Sequence, residues 1–286
     1  MITSTSAHRL RKLQGRLMEA VCLLAALLAV IPLFAFLWHL AAKGASAFSA
    51  DLFTRLPMPP GETGGGLKNS ILGSLVVVGG ASLAGIPLGI GAAVYMTEFA
   101  RPTVASGLRF AADVLSGIPS IVMGLLAFEV VVVPMHHFSA LSGSVALAFI
   151  MMPVVVITTQ EMLHLVPHSL REAGHALGIP AWRIAASISL RAAAPGILTG
   201  MILAVSRIAG ETAPMLFTAF GNPFLSANPR APIATLPHTI FTYAISPYDD
   251  WHRLAWGGAL VLVLGILGAT LLSRFILWWH RRSLNS

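Results

Sequence analysis

Six separated apolar runs, at about 20–41, 70–96, 110–134, 141–161, 195–219 and 254–279, set the terms on which this chain can fold. A helix that crosses a bilayer needs about 20 predominantly apolar residues, and each run meets that length. Backbone groups inside lipid have no water to bond, so such runs must become helices that satisfy their own N–H and C=O groups. The predicted fold class is all-α: a polytopic membrane helical bundle with six transmembrane helices. Composition argues against a soluble alternative. Of 286 residues, 56% are hydrophobic and only 10% are charged, against roughly 25% charged in soluble domains.

The basic residues set the orientation. Along an alternating six-span path, Arg9, Arg11, Lys12, Arg16, Arg101, Arg109, Arg171, Arg183, Arg191, Arg274, Arg281 and Arg282 fall on one side. Lys43, Arg55, Lys68, Arg230 and Arg253 fall on the other. Short loops rich in Lys and Arg stay in the cytoplasm, so both termini are expected there, in a multi-pass inner-membrane protein. The net charge of +7 is accounted for in this way. No basic stripe interleaved with aromatics points to nucleic acid; the expected surroundings are membrane lipid, with Trp251, Trp278 and Trp279 placed for interfacial belts. The first run is too long for the h-region of a cleaved signal peptide and reads as an uncleaved anchor. The expected layout is a cytoplasmic tail at 1–19, a first span and outer loop at 20–67, a main membrane domain at 68–276 and a cytoplasmic tail at 277–286. A cytoplasmic loop at 162–194 interrupts the main domain.

Small residues and prolines mark special points in the spans. Gly85 and Gly89, and Gly196 and Gly200, are spaced to let helices approach closely. Pro87 and the step Gly117-Ile118-Pro119 are expected to kink their helices. The second site, with Ser120, is either an ordinary bend or a hinge that lines a pathway. In the 162–194 loop, Arg171 to Leu177 reads as a short helix capped by Gly178. Pro180 then opens a second helix, with Ile184, Ala185 and Ile188 on one apolar face.

One charge stands out. Arg207 is about eleven residues from each end of the fifth run, where an arginine costs at least about 2.5–3.5 kcal/mol. Glu211, four residues on, would share its helix face. Two readings stay open. One is a structural ion pair, although such pairs add little net stability. The other is an anion site, because guanidinium presents a planar fork of donors suited to oxyanions, with Glu211 orienting Arg207 when the site is empty.

Several motifs carry a family resemblance. Glu172-Ala173, then Gly178 and Ile188-x-Leu190, resemble the Glu-Ala-Ala loop of ABC importer permeases, with Gly174 and Arg191 departing from its usual residues. Ser206-Arg207-Ile208-Ala209-Gly210-Glu211-Thr212-Ala213-Pro214 closely resembles the signature of the phosphate-specific ABC transporter permease of the PstA type. Tyr95 to Ala100, Asp113 to Val122, Ala234 to Pro237 and Asp250 to Trp256 match the same family, over about 68–276. The resemblance implies an ABC importer type I permease fold and a role as one permease subunit of an ATP-driven importer of inorganic phosphate. It implies a sister permease of the PstC type, two ATP-binding subunits and a periplasmic phosphate-binding protein. It implies that Glu172, Ala173 and Gly178 form the element that docks on the ATPase, and that Arg207 and Glu211 take part in moving the anion. A permease for another oxyanion, or a component that reports phosphate status, is the alternative.

No enzyme activity and no cofactor is expected of this chain. A P-loop ends in Gly-Lys-Ser/Thr, and none of Lys12, Lys43 and Lys68 follows a glycine. ATP and Mg would be bound by the partner subunits. Glu161, His164 and His168 have a ligand-like spacing, but Pro167 interrupts their helix, so no metal site is expected. Cys22, the lone cysteine, cannot form an intrachain disulfide.

Overall fold

The structure is a computed structural model that describes residues 5–284, with side chains for 11–275. Among the described residues it is built of helices, apart from one isolated bridge between Phe220 and Ile233. The side chains of Arg9, Trp278, Trp279, Arg281 and Arg282 lie outside the described residues. In chain order the elements are α1 Thr5–Ala45, α2 Ala50–Thr54 and α3 Lys68–Phe99. Then come α4 Pro102–Gly117, α5 Ser120–Met135, α6 Ala140–His164 and α7 His168–Ala176. The rest are α8 Ala181–Ala209, α9 Ala213–Thr218, α10 Leu236–Ala244 and α11 Asp249–Leu284.

Helices α1, α3, α6, α8 and α11 are each long and apolar enough to cross a membrane. The third apolar run is not a straight span. It becomes the pair α4 and α5, bent by 103° at Ile118-Pro119. Proline pushes the preceding residue toward extended backbone, and Ile118 adopts φ −71°, ψ 133°. By contrast α3 continues through Pro87, and α6 and α8 continue through Pro153 and Pro195. Neither a proline nor the tripeptide breaks a helix by itself: α3 carries the same Gly-Ile-Pro at 85–87 and stays helical, whereas after 117–119 the second half packs elsewhere, with Gly124 against Pro214.

Helix α6 is the centre of the bundle, with 67% of its apolar window buried. Its start is fixed by a capping box: the Ser139 hydroxyl accepts from the Ser142 N–H at 3.1 Å, and the Ser139 N–H donates to Ser142 Oγ at 3.2 Å. Such reciprocal caps satisfy donors left over at a helix start. Both glycine pairs noted in the sequence press on this helix. A Cβ at Gly85 or Gly89 would stand 3.1 Å from Met151 Sδ or 2.8 Å from Val155 Cβ, and one at Gly200 would stand 2.6 Å from Thr158 Oγ1. Helix α3 therefore lies on one side of α6 and α8 on another, around a core of Val77, Ala81, Leu147, Met151, Val155, Ala204 and Ile208. Helix α1 is the opposite case: its apolar window is 0% buried, and it touches the bundle near one end, where His39 meets the edge of Trp256.

Candidate functional site: two arginines at different depths

The contacts between α6 and α8 fix the depth of Arg207. Gly196 abuts Met162 and Gly200 abuts Thr158, so the helices run antiparallel in step. Continuing that register brings residue 208 level with about residue 150, and Ile208 does share a core cluster with Leu147, Ile150 and Met151. Arg207 is therefore level with the middle of α6.

The helix around it differs from the expectation. The fifth apolar run predicts one span over 195–219 with Arg207 at its centre. The helix instead begins at Ala181 and stops at Ala209, with Gly210 as its C-cap. Arg207 lies in the last turn, where a cation opposes the partial negative charge of the free carbonyls. The helix ends because Gly210 and Pro214 flank the segment, and Pro214 opens α9.

This early end also removes the expected pairing of Arg207 with Glu211. Positions four apart are neighbours only while the helix continues. Arg207 is exposed on this chain and Glu211 is half-buried. Among the described residues neither makes an ion pair or a side-chain hydrogen bond. Glu211 instead lines a minute gap with Ser74, Val78, Leu147 and Thr235.

The bend at 117–119 lies close to this helix end. A Cβ at Gly124, one turn into α5, would stand 2.7 Å from Pro214 Cα. Two interrupted helices thus meet beside the residues that follow Arg207. Gly117 and Pro119 are exposed, and Ser120 at the start of α5 is half-buried. Interrupted helices deep in a membrane protein are tolerated where they are buried in protein or line a cavity.

At the end of the bundle that carries α7, the chain builds the capped loop. The Gly178 N–H donates to His175 O at 2.9 Å and the Ile179 N–H donates to Gly174 O at 3.1 Å. This pair of bonds is the Schellman arrangement, and Gly178 holds the left-handed φ of +73° that it requires. Pro180 is the N-cap of α8 and sits just before its first turn. Glu172, Ala173 and Gly178 are exposed, on the outside of this elbow. Gly174 has the opposite role to the flexibility its glycine suggests. It is buried, and a Cβ there would stand 3.1 Å from both Ile184 Cδ1 and Ile188 Cδ1. It lets α7 lie flat on α8.

Sequence reading missed the joint behind this elbow. Arg171 pairs with Glu98 at 3.0 Å, with both side chains nearly buried at 13% and 10% exposed. A second joint lies nearby, where Arg109 donates to Asp113 at 3.3 Å, to Gln160 Oε1 at 3.1 Å and to Glu161 Oε1 at 3.3 Å. Asp113 is thus a local partner of Arg109, and Glu161 is committed to the same arginine.

A cavity of about 590 Å³ lies at the opposite end, between Pro57, Pro59, Asn69, Phe224, His238 and Trp251. Its lining does not include Arg207 or Glu211. Burial there lowers the pKa of His238 below its usual value and raises that of Tyr243 to about 12.

The family model of binding-protein-dependent transport system inner membrane components matches residues 85–284. The chain belongs to this permease family. Within it, the chain is 47% identical over 248 residues to the phosphate transport system permease protein PstA of Yersinia pestis, covering 85% of this chain and 84% of that one. It is 43% identical to the protein of the same name from Haemophilus influenzae, covering 95% and 96%. It is 34% identical to a probable PstA of Methanocaldococcus jannaschii, covering 88% and 89%. The fold matches a solved bacterial ABC transporter involved in alginate import with a TM-score of 0.63 at 15% identity, covering 94% of this chain and 99% of that one. It also matches inward-facing structures of the MetNI methionine ABC transporter with a TM-score of 0.61 at 16% identity, covering 74% and 94%. At such identities the likeness concerns the fold of a type I importer permease.

Proposed function

We propose that this chain is the permease subunit of an ATP-driven importer of inorganic phosphate. Relatives named as phosphate permeases, alike over most of their length, support the substrate class. The observation that carries the site is Arg207: a cation at mid-depth, at a helix end, exposed on this chain and without a protein partner among the described residues. An uncompensated arginine at that depth is costly unless water, an anion or another subunit meets it.

A sister permease faces this surface and completes the pathway, so that the anion passes between two subunits. A guanidinium can bond two oxygens of a tetrahedral anion at once. Glu211, close in sequence yet unpaired, discourages a second anion from entering. The breaks at 118–119 and 210–212 let the walls beside Arg207 change shape. The exposed elbow with Glu172, Ala173 and Gly178 docks on one of two ATP-binding subunits in the cytoplasm, where both termini also lie. Hydrolysis of ATP with Mg takes place in those subunits. With the pathway between the two permease subunits open to the cytoplasm at rest, closure of the ATP-binding subunits would turn it outward, where a periplasmic binding protein delivers phosphate.

The test of substrate class is uptake of radiolabelled phosphate at micromolar concentration, in a strain lacking its own high-affinity system and given the whole transporter. Uptake that excess unlabelled phosphate removes and excess sulfate leaves intact is the expected result. No phosphate uptake by the whole transporter, beside uptake of labelled sulfate or molybdate in the same strain, would reassign the permease to another oxyanion.

A further inference from the structure

The residue just before the docking elbow has no part in the function as described so far. Arg171 turns its guanidinium away from the docking side and into the bundle. Nε donates to Glu98 Oε1 at 3.1 Å and to Ser189 Oγ at 3.3 Å. Nη1 donates to the Val166 carbonyl at 3.2 Å and Nη2 to the Leu163 carbonyl at 2.8 Å. Guanidinium has five N–H donors in one rigid plane, and here that plane meets three membrane helices. Glu98 belongs to the end of α3, Leu163 to the end of α6 with Val166 just past it, and Ser189 to α8. Leu163 and Val166 present carbonyls at and just past the end of α6, where regular helical bonding stops; the Leu163 carbonyl also accepts from the Val166 N–H at 3.2 Å.

The places it grips are unusual in one respect. Glu98 lies in a π-helical turn at Tyr95–Phe99, and Ser189 closes another at Ala185–Ser189. Such wide turns interrupt the regular ladder and often mark functional positions in helices. Three residues along α7 from Arg171, on the same face, Gly174 makes the apolar half of the joint against Ile184 and Ile188. Glu172 and Ala173 are exposed beside this joint.

We infer that Arg171 is a positioning residue that ties the docking helix to α3, α6 and α8 at once, so that a push on α7 moves all three membrane helices together. The inference rests on the reading of α7 as the element that docks on an ATP-binding subunit. Simple adhesion does not call for this arrangement. The Gly174 contact and the Schellman cap already hold α7 in place, and a buried ion pair adds little net stability compared with apolar packing. What the fork adds is direction: one rigid plane fixed to several elements cannot follow one of them and leave the others.

The test uses the complete transporter, purified with its ATP-binding subunits and reconstituted in proteoliposomes with its binding protein. Phosphate moved and ATP hydrolysed are measured in the same vesicles for wild type, Arg171→Ala, Arg171→Lys and Glu98→Gln. The expected result is that Arg171→Ala keeps its ATP-binding subunits and goes on hydrolysing ATP, while phosphate moved per ATP falls about tenfold, a coupling loss in the range known for such residues. Arg171→Lys falls in between, because an ammonium can meet Glu98 but cannot span the carbonyls and the serine as the fork does. Arg171→Ala with unchanged phosphate per ATP, beside a wild type that couples, overturns the inference alone. Loss of the ATP-binding subunits in both Arg171→Ala and Arg171→Lys overturns it too, by showing a role in assembly only. A complex lacking the α7 elbow whose ATP-binding subunits still associate and hydrolyse ATP as in wild type overturns the docking reading, and the inference with it.

Discussion

Two arginines with a nearby glutamate illustrate opposite uses of the same chemistry. Arg171 and Glu98 are 73 positions apart, yet they meet at 3.0 Å and are almost entirely buried. Arg207 and Glu211 are four positions apart, yet they do not pair, because the helix that would bring them together ends at Ala209. The first arginine has spent its donors on the protein. The second keeps them free at mid-depth on an exposed face. What a buried charge can do depends on what else its donors already hold, and sequence spacing is a poor guide to that.

The comparison can be broken most forcefully at Arg207. Loss of two charge-assisted bonds to the anion, at about 1.5 kcal/mol each, predicts a fall in uptake of roughly 100-fold for Arg207→Ala, with membrane abundance unchanged by immunoblot. Next in size is the stability of the other joint. Arg171→Ala leaves Glu98 buried and alone, which should cost about 3 kcal/mol, the lower end of such losses because the pair keeps a little exposure. The double variant Arg171→Met with Glu98→Leu should regain most of that stability in thermal unfolding of the purified complex, without regaining phosphate moved per ATP.

A smaller effect is expected at the elbow. Gly178→Ala forces a Cβ into a left-handed conformation at about 1–2 kcal/mol, enough to weaken retention of the ATP-binding subunits in a pull-down at low protein concentration. The smallest effect is expected at Glu211. Glu211→Gln should alter uptake by less than about threefold, since no ion pair is lost and the bare-surface value of a charge is under 1 kcal/mol. A Glu211→Gln defect as deep as that of Arg207→Ala would mean that the two do work as a pair, and would erase the contrast.

Much of this was readable beforehand. Six apolar runs were enough for the class of fold, because lipid leaves the backbone few choices. Gly178 signalled its own cap, since a left-handed residue after a short amphipathic helix is the usual way to stop one. The depth of Arg207 was also legible, and survives the early end of its helix. Other features were hidden for physical reasons. The stop at Ala209 falls inside an apolar run that continues to 219, so hydropathy alone hides it although Gly210 and Pro214 stand there. Gly174 looks the same in sequence whether it loosens a helix or lets two helices touch; only the neighbouring Ile184 and Ile188 decide. The joint of Arg171 and Glu98 links α7 to the end of α3 across 73 positions, and local pattern carries no record of such a meeting.

The central claim is that Arg207 offers its charge to the pathway, and the single native cysteine makes a direct test possible. In a Cys22→Ser background, Arg207→Cys is assayed for phosphate uptake before and after treatment with aminoethyl methanethiosulfonate, which attaches a new ammonium to an accessible thiol. The account predicts that Arg207→Cys is nearly inactive and that the reagent restores part of its uptake while leaving the Cys22→Ser parent unchanged. Uptake by untreated Arg207→Cys equal to that of its parent would contradict it.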